Sequence, residues 1–156
     1  MDDHKSDERA QFQPGMLVVR RLIRATPERL FDAWTQPDHL KQWWGPENVS
    51  CIAAEVDLRI GGRYRIANQF PDGTVVWIIG EFQAIEPPYR LTYTWQIEGS
   101  SRPCELVTVR FEPHNNATEV IVTHTGISDR ITRDRHEKGW VECLSALAGY
   151  LWATDG

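Results

Sequence analysis

The chain has 156 residues, of which 41% are hydrophobic and 25% are charged, and its formal net charge is −5. This composition is ordinary for one globular domain and excludes wholesale disorder. A net acidic chain lacks the positive potential that nonspecific nucleic-acid binding requires, so no nucleic-acid partner is predicted. The sequence holds no run of about eighteen apolar residues, so no membrane span is predicted either.

The N-terminal residues predict a flexible tail at 1–15 ahead of a single domain at 16–156, because they are polar and end in Pro14-Gly15. They lack the apolar core of a secretion signal. The three cysteines show no CxxC spacing, which argues against a disulfide framework and against a zinc site. We therefore predict reduced thiols and a cytoplasmic location.

The first predicted elements are a strand and two short helices. Residues 16–24 are rich in aliphatic and β-branched side chains, as is typical of a strand. Thr26-Pro27 then suits a helix start, with a capping hydroxyl followed by proline at the first helical position. Pro37-Asp38 begins a second short helix, which Gly45-Pro46 ends.

From Cys51 onward the apolar period becomes two, which predicts strands with one buried face. Glycine, proline and asparagine interrupt this pattern at short intervals, for example at Pro71-Asp72-Gly73 and Pro87-Pro88. Connections this short join antiparallel neighbours, because a parallel crossover needs about a dozen residues or more. The sequence therefore predicts an antiparallel meander of six or seven strands.

The last element is a long amphipathic helix that runs from about residue 129 to about 152 without a proline. Its apolar stripe recurs at steps of four, three and four: Trp140, Leu144, Leu147 and Leu151. Because the helix and the sheet must each cover the other's apolar face, the sheet is expected to curl around the helix in an α+β fold.

A ligand pocket is predicted between this helix and the sheet. The middle of the helix carries small side chains: Ser145, Ala146, Ala148 and Gly149. They either leave an apolar void that accepts a guest or let the helix and sheet approach closely. The predicted pocket residues are Trp44, Tyr64, Ile66, Trp77, Ile79, Tyr93, Trp95, Val109, Trp140 and Leu144.

The order of short motifs resembles a known family. The matching segments are Thr26-Pro27-Glu28, Phe31-Asp32-Ala33-Trp34-Thr35, Pro37-Asp38-His39-Leu40, Trp43-Trp44-Gly45-Pro46, Pro87-Pro88-Tyr89-Arg90-Leu91 and Thr123-His124-Thr125-Gly126. They resemble the activator of Hsp90 ATPase homologue 1-like (AHSA1-like) family of the START-like, or SRPBCC, superfamily. The resemblance implies a helix-grip (Bet v 1-like) fold, in which a curved antiparallel sheet wraps around a long C-terminal helix with two short helices after the first strand.

That superfamily includes lipid carriers, hormone receptors, cyclases and co-chaperones, so the fold alone implies no single activity. Our leading interpretation is a binding module that holds a small apolar or aromatic molecule between sheet and helix. An interaction protein, either a co-chaperone or a stress-response factor, is an alternative that needs an exposed apolar patch around Trp43, Trp44 and Trp152. An Hsp90-type chaperone is not the expected partner, because the family's co-chaperone also uses a separate N-terminal domain. A homodimer through a sheet edge is a further possibility.

A cyclase- or hydrolase-type enzyme using the same pocket is the other alternative. Its candidate proton-transfer groups are His124, at the end of a β-rich segment, Glu81 or a tyrosine; Glu81 could instead pair structurally with Arg63 or Arg65. The segment around His136 is interpreted as solvated surface. The chain lacks the GxSxG, GxxxxGK[ST] and GxGxxG motifs, and its five histidines show no HxxxH spacing. No cofactor and no metal site are predicted.

Overall fold

Seven strands form one antiparallel sheet in the order β1-β7-β6-β5-β4-β3-β2 in the computed structural model, which describes residues 15–154. The strands are β1 (Met16–Ile23), β2 (Ser50–Val56), β3 (Arg63–Gln69), β4 (Val75–Glu86), β5 (Arg90–Ile97), β6 (Glu105–His114) and β7 (Ala117–Thr125). Every pair of neighbouring strands is antiparallel, and the first strand of the chain, β1, pairs with the last, β7. The predicted antiparallel sheet and α+β class are confirmed.

Three helices accompany the sheet: α1 (Pro27–Thr35), α2 (Pro37–Trp43) and α3 (Arg130–Thr154). The start of α1 is the predicted one, because the Thr26 hydroxyl accepts a hydrogen bond from the Arg29 backbone N–H at 3.2 Å. The two short helices after the first strand are thereby confirmed. None of the helices in residues 15–154 is long and apolar enough to cross a membrane. Of the predicted tail, residues 1–14 lie outside the described part of the chain.

The long helix α3 packs its predicted stripe against the inner face of the sheet, where Trp140, Leu144, Leu147 and Leu151 are all buried. The small residues in its middle lie elsewhere. Ser145, Ala146 and Gly149 are exposed, and Ala148 is only half-buried. Ser145 and Ala146 line a surface groove beside α2 rather than a void facing the sheet, and Ala148 alone packs partly against the core. The interpretation of a slim inner face at this level was therefore wrong.

Buried aromatic side chains pack against one another in the core, and three of them hydrogen-bond through their polar groups. Trp34 donates its indole N–H to the Tyr93 hydroxyl at 3.3 Å, and Trp43 donates to the Ala33 carbonyl at 2.8 Å. The Tyr64 hydroxyl donates to the Thr94 carbonyl at 2.6 Å. Because these three donors are hydrogen-bonded, burying their polar groups carries little desolvation penalty.

Gly80 in β4 makes room for the Tyr64 ring. A Cβ atom at this position would overlap the Thr94 carbonyl oxygen and lie within 2.7 Å of the Tyr64 hydroxyl. That carbonyl oxygen accepts the hydrogen bond of the Tyr64 hydroxyl at 2.6 Å, so displacing it would break this bond. By contrast, a Cβ at Gly149 in α3 would meet nothing within 4 Å.

We predict opposite effects for the same substitution at these two glycines. Gly80→Ala should lower the free energy of unfolding by about 3 kcal/mol through overpacking. Gly149→Ala should raise it by about 0.5–1 kcal/mol, since alanine favours the helix over glycine. Urea denaturation of both variants measures the two effects, and equal stability of the Gly80→Ala protein and the wild type would contradict the described packing.

Candidate functional site

A cavity of about 210 Å³ lies between the sheet and the N-terminal half of α3. Its wall is mainly apolar and includes Trp44, Val76, Ile78, Trp95 and Trp140. The exposed side chains of Phe70, Ile97 and Arg135 also line it, so the cavity reaches the protein surface there. Besides Arg135, the wall contains three polar side chains: Asn68, His124 and His136.

The predicted pocket residues fall into three groups. Trp44, Trp95 and Trp140 line the cavity. Five others are buried in the packed core of the described chain and do not line it: Tyr64, Ile66, Tyr93, Val109 and Leu144. Packing near these five is dense because the rings of Tyr64 and Tyr93 stand edge to face, with centroids 5.2 Å apart.

The remaining two, Trp77 and Ile79, do not line the cavity, contrary to the sequence expectation. Side chains alternate along β4, and Val76 and Ile78 occupy the inner face. The ring of Trp77 is instead covered by the Arg65 guanidinium, which lies 4.0 Å from the ring centroid. This cation–π contact accounts for a half-buried tryptophan on the outer face.

The outer face of β4 also carries Glu81. Its side chain is exposed, and its backbone N–H is bonded to the Thr94 hydroxyl at 2.9 Å. From the outer face this carboxylate cannot reach the cavity. Glu81 is therefore excluded as a proton-transfer group for any molecule bound there.

His124 is fully buried and belongs to a cluster with Glu105 and His136. One oxygen, Oε1 of Glu105, lies 2.6 Å from His124 Nε2 and 2.9 Å from His136 Nε2. The two imidazole rings stack with centroids 4.5 Å apart, and Trp95 places its ring edge-on against His136 at 4.8 Å. Strands β6 and β7 and helix α3 thus contribute one titratable group each.

Trp140 fixes the position of the proton on His124. Its indole N–H donates to His124 Nδ1 at 3.0 Å, so this nitrogen carries a lone pair and the ring proton is on Nε2. The Trp140 ring is itself held by Trp34, stacked at 5.9 Å, and by Trp44, edge-on at 5.7 Å. His124 is therefore neutral and donates to Glu105.

The pKa values of the cluster agree with this assignment. Burial lowers the pKa of His124, and the hydrogen bond to Glu105 only partly opposes that effect. For Glu105 burial acts to raise the pKa, but the hydrogen bonds from His124 and His136 outweigh it and lower the pKa to about 2. At neutral pH the cluster is a buried carboxylate that accepts hydrogen bonds from two histidines.

The three side chains are of types that hold metal ions, and their ligand atoms lie within 4.8 Å of one another. A histidine that ligates through Nε2 normally donates its Nδ1–H to an outer acceptor. Here Nδ1 of His124 faces the Trp140 N–H, which is a donor. This arrangement favours a hydrogen-bond network over a metal centre.

Cys143 is the one cysteine in the cavity wall. Burial raises the pKa of its thiol to about 12, so it is uncharged at neutral pH and unsuited to act as a nucleophile. All three cysteines of the chain are free thiols in the structure.

Sequence reasoning missed Glu105 and His136. His136 was interpreted as surface, although it lies four and seven residues before Trp140 and Cys143 and so shares their helix face. That spacing was the available signal. Glu105 is the first residue of β6, and nothing in the sequence indicates that its carboxylate turns inward.

The cluster predicts a specific acid sensitivity. Between its lowered native pKa and the ordinary value of 6.5, His124 binds a proton in the unfolded chain but not in the native protein. The free energy of unfolding should therefore fall as the pH drops below about 6.5. Glu105 should add a second loss between about pH 4.5 and 2, because its carboxylate is protonated first in the unfolded chain.

The variant His124→Gln tests the first loss, because glutamine retains an N–H donor for Glu105 but does not titrate. We expect it to be destabilised by about 1–2 kcal/mol at pH 8 and to lose less stability than wild type between pH 8 and 5.5. Urea denaturation at both pH values is the measurement, and His114→Gln, at an exposed site, is the matched control. An unchanged pH dependence in His124→Gln would show that His124 is not the group responsible.

The structure of this chain is similar to several solved protein structures. A Chromobacterium violaceum protein is 27% identical with a TM-score of 0.82, covering 88% of this chain and 97% of that one. The AHSA1 protein of Silicibacter pomeroyi is also 27% identical, with a TM-score of 0.80 and coverages of 88% and 98%. A Nitrosomonas europaea protein at 22% identity, with a TM-score of 0.79 and coverages of 90% and 96%, shares the fold.

A search of curated proteins found no match. The family model described as "Activator of Hsp90 ATPase homolog 1-like protein" matches residues 24–152, which include both short helices, six of the seven strands and most of α3. The resemblance drawn from the sequence motifs is confirmed, and the chain belongs to the activator of Hsp90 ATPase homolog 1-like family.

Proposed function

We propose that this protein binds a small aromatic molecule in the cavity between the sheet and α3. The observation that carries the proposal is the cavity itself, which is about 210 Å³ in volume and mainly apolar. An engineered apolar cavity of about 150 Å³ accepts benzene, whereas pockets for drug-sized ligands begin near 300 Å³. The volume therefore suits a molecule of one or two rings and is too small for a lipid.

The aromatic side chains in the wall support a flat occupant. Trp44, Trp95 and Trp140 present large rigid surfaces to the cavity, and such rings interact favourably with another ring edge-on or offset. A planar guest would bury most of its surface there and gain the corresponding hydrophobic free energy.

The amide oxygen of Asn68 is a polar atom of the wall that a ligand can satisfy. The side-chain oxygen of Asn68 is buried without a hydrogen-bond partner in residues 15–154. An unpaired buried acceptor costs about 1–3 kcal/mol, and a bound donor would recover part of that cost. This supports an occupant that carries at least one polar group.

The two alternative functions, an interaction protein and an enzyme, have less support than ligand binding. The interaction protein needed an apolar patch at Trp43, Trp44 and Trp152, but Trp43 and Trp44 are buried and only Trp152 is exposed. An enzyme in the cavity would have to act without Glu81 and without a thiolate.

We retain the cytoplasmic location as part of the proposal, and we propose no chaperone, nucleic-acid or metal partner.

A cavity-filling pair of variants tests the proposal. Gly139 lines the cavity, and a Cβ there would meet nothing within 4 Å, so Gly139→Leu should place its side chain in the empty space. Gly149→Leu makes the same change on the exposed face of α3. In a thermal-shift screen of toluene, phenol, indole and naphthalene, at least one compound should raise the Tm of wild type and of Gly149→Leu.

The same compound should leave the Tm of Gly139→Leu unchanged, because its binding space is filled. Titration by NMR would then give dissociation constants for the responding proteins. If no one- or two-ring compound shifts the wild type at millimolar concentration, or if Gly139→Leu responds like Gly149→Leu, the cavity is not the binding site.

A further inference from the structure

We propose that the cavity selects a hydroxylated aromatic, such as a phenol, whose hydroxyl donates a hydrogen bond to Nδ1 of His136. This inference rests on the proposed function and names the chemical class of the ligand. It makes His136 the residue that determines specificity, with Glu105 as the residue that positions it.

His136 lies where a ligand would meet it. It lines the cavity, and its side chain is largely buried, at 17% exposure. Nε2 is engaged by Glu105 Oε1 at 2.9 Å, and Trp95 and His124 hold the ring from two sides. Nδ1 has no hydrogen-bond partner in residues 15–154. The ring is thus oriented by one nitrogen and leaves the other open.

The chemistry of the cluster makes that open nitrogen an acceptor. Glu105 is ionised at neutral pH, and a carboxylate only accepts hydrogen bonds, so a His136 ring that carries a single proton holds it on Nε2, facing Glu105. Nδ1 then carries the lone pair. The negative charge on the far side of the ring also strengthens Nδ1 as an acceptor, as a carboxylate does for histidines in other sites.

The same charge discriminates against anions. Glu105 is buried beside the cavity, His124 is neutral, and the unpartnered oxygen of Asn68 is a second acceptor in the wall. The cation at the rim, Arg135, is exposed to solvent. An ionised carboxylate in the cavity would face these acceptors, and among the described residues of the wall the exposed Arg135 is the one Lys or Arg side chain. A neutral donor such as a phenolic O–H fits them.

The test compares phenol with toluene, which has the same shape but no donor. The dissociation constants of both are measured at pH 8 by NMR titration for wild type, His136→Phe and Asn68→Leu. The preference is the ratio of the toluene constant to the phenol constant. The ratio is taken within each protein, so the difference in hydration between phenol and toluene cancels when the variants are compared with wild type, as in a double-mutant cycle.

We expect the preference for phenol to fall roughly tenfold in His136→Phe relative to wild type, as for the loss of one hydrogen bond. It should change less than threefold in Asn68→Leu. Benzoate should bind wild type at least tenfold more weakly than phenol does. A preference that is the same in His136→Phe and wild type, or one that is lost only in Asn68→Leu, would overturn the assignment to His136.

The result separates this inference from the proposed function. If toluene and phenol both bind and the preference does not depend on His136, the cavity remains a binding site and only the specificity is wrong. If neither binds, both fail. Should His136→Phe not fold, ¹⁵N NMR of the histidine rings in wild type still decides, because the His136 Nδ1 resonance must shift with phenol and not with toluene.

Discussion

The alternation of side chains along the strands is the constraint on which the rest of this structure depends. Each strand presents every second residue to α3, and only those residues reach the cavity or the core. On β4 this selects Val76 and Ile78 for the cavity wall and sends Trp77 and Glu81 to the outer face. The candidate chemistry of the protein is thereby limited to what the inner positions of the strands and the facing side of α3 supply.

A buried carboxylate at one end of these strands requires strong hydrogen bonds, and the cluster provides them. Glu105 accepts from His124 and His136, and Trp140 fixes the proton on His124. The stack of Trp34 and Trp44 on Trp140 links this polar end of the cavity to the two short helices. Core packing therefore supports the protonation of the cluster, because the tryptophan stack holds in place the indole N–H that His124 Nδ1 accepts.

The fold was predictable because its signals are local. Proline and threonine mark the helix starts, and the strand period and short turns dictate antiparallel neighbours.

The cavity wall was predicted only in part. The strand β4 has five consecutive apolar residues, Val75, Val76, Trp77, Ile78 and Ile79. A period of two therefore cannot indicate which of them face the core and which face outward. Its register also shifts between Phe82 and Ala84, and a one-residue shift exchanges the faces. Long-range pairing of Glu105 with two histidines has no local signal at all.

The angular position of each residue around α3 explains why the small residues in the middle of the helix do not form the cavity, and why the cavity lies nearer its N-terminal end. Gly149 and Ser145 lie more than 90° around α3 from the buried stripe, whereas Gly139 lies four residues before the buried Cys143 and therefore on its face. A missing side chain creates space only where the helix faces the sheet. Near the C-terminal end the leucines of the stripe fill that space, while near the N-terminal end glycine leaves it open beside His136. The empty volume and the polar cluster thus share one end of the groove, so whatever enters the cavity must meet the histidines.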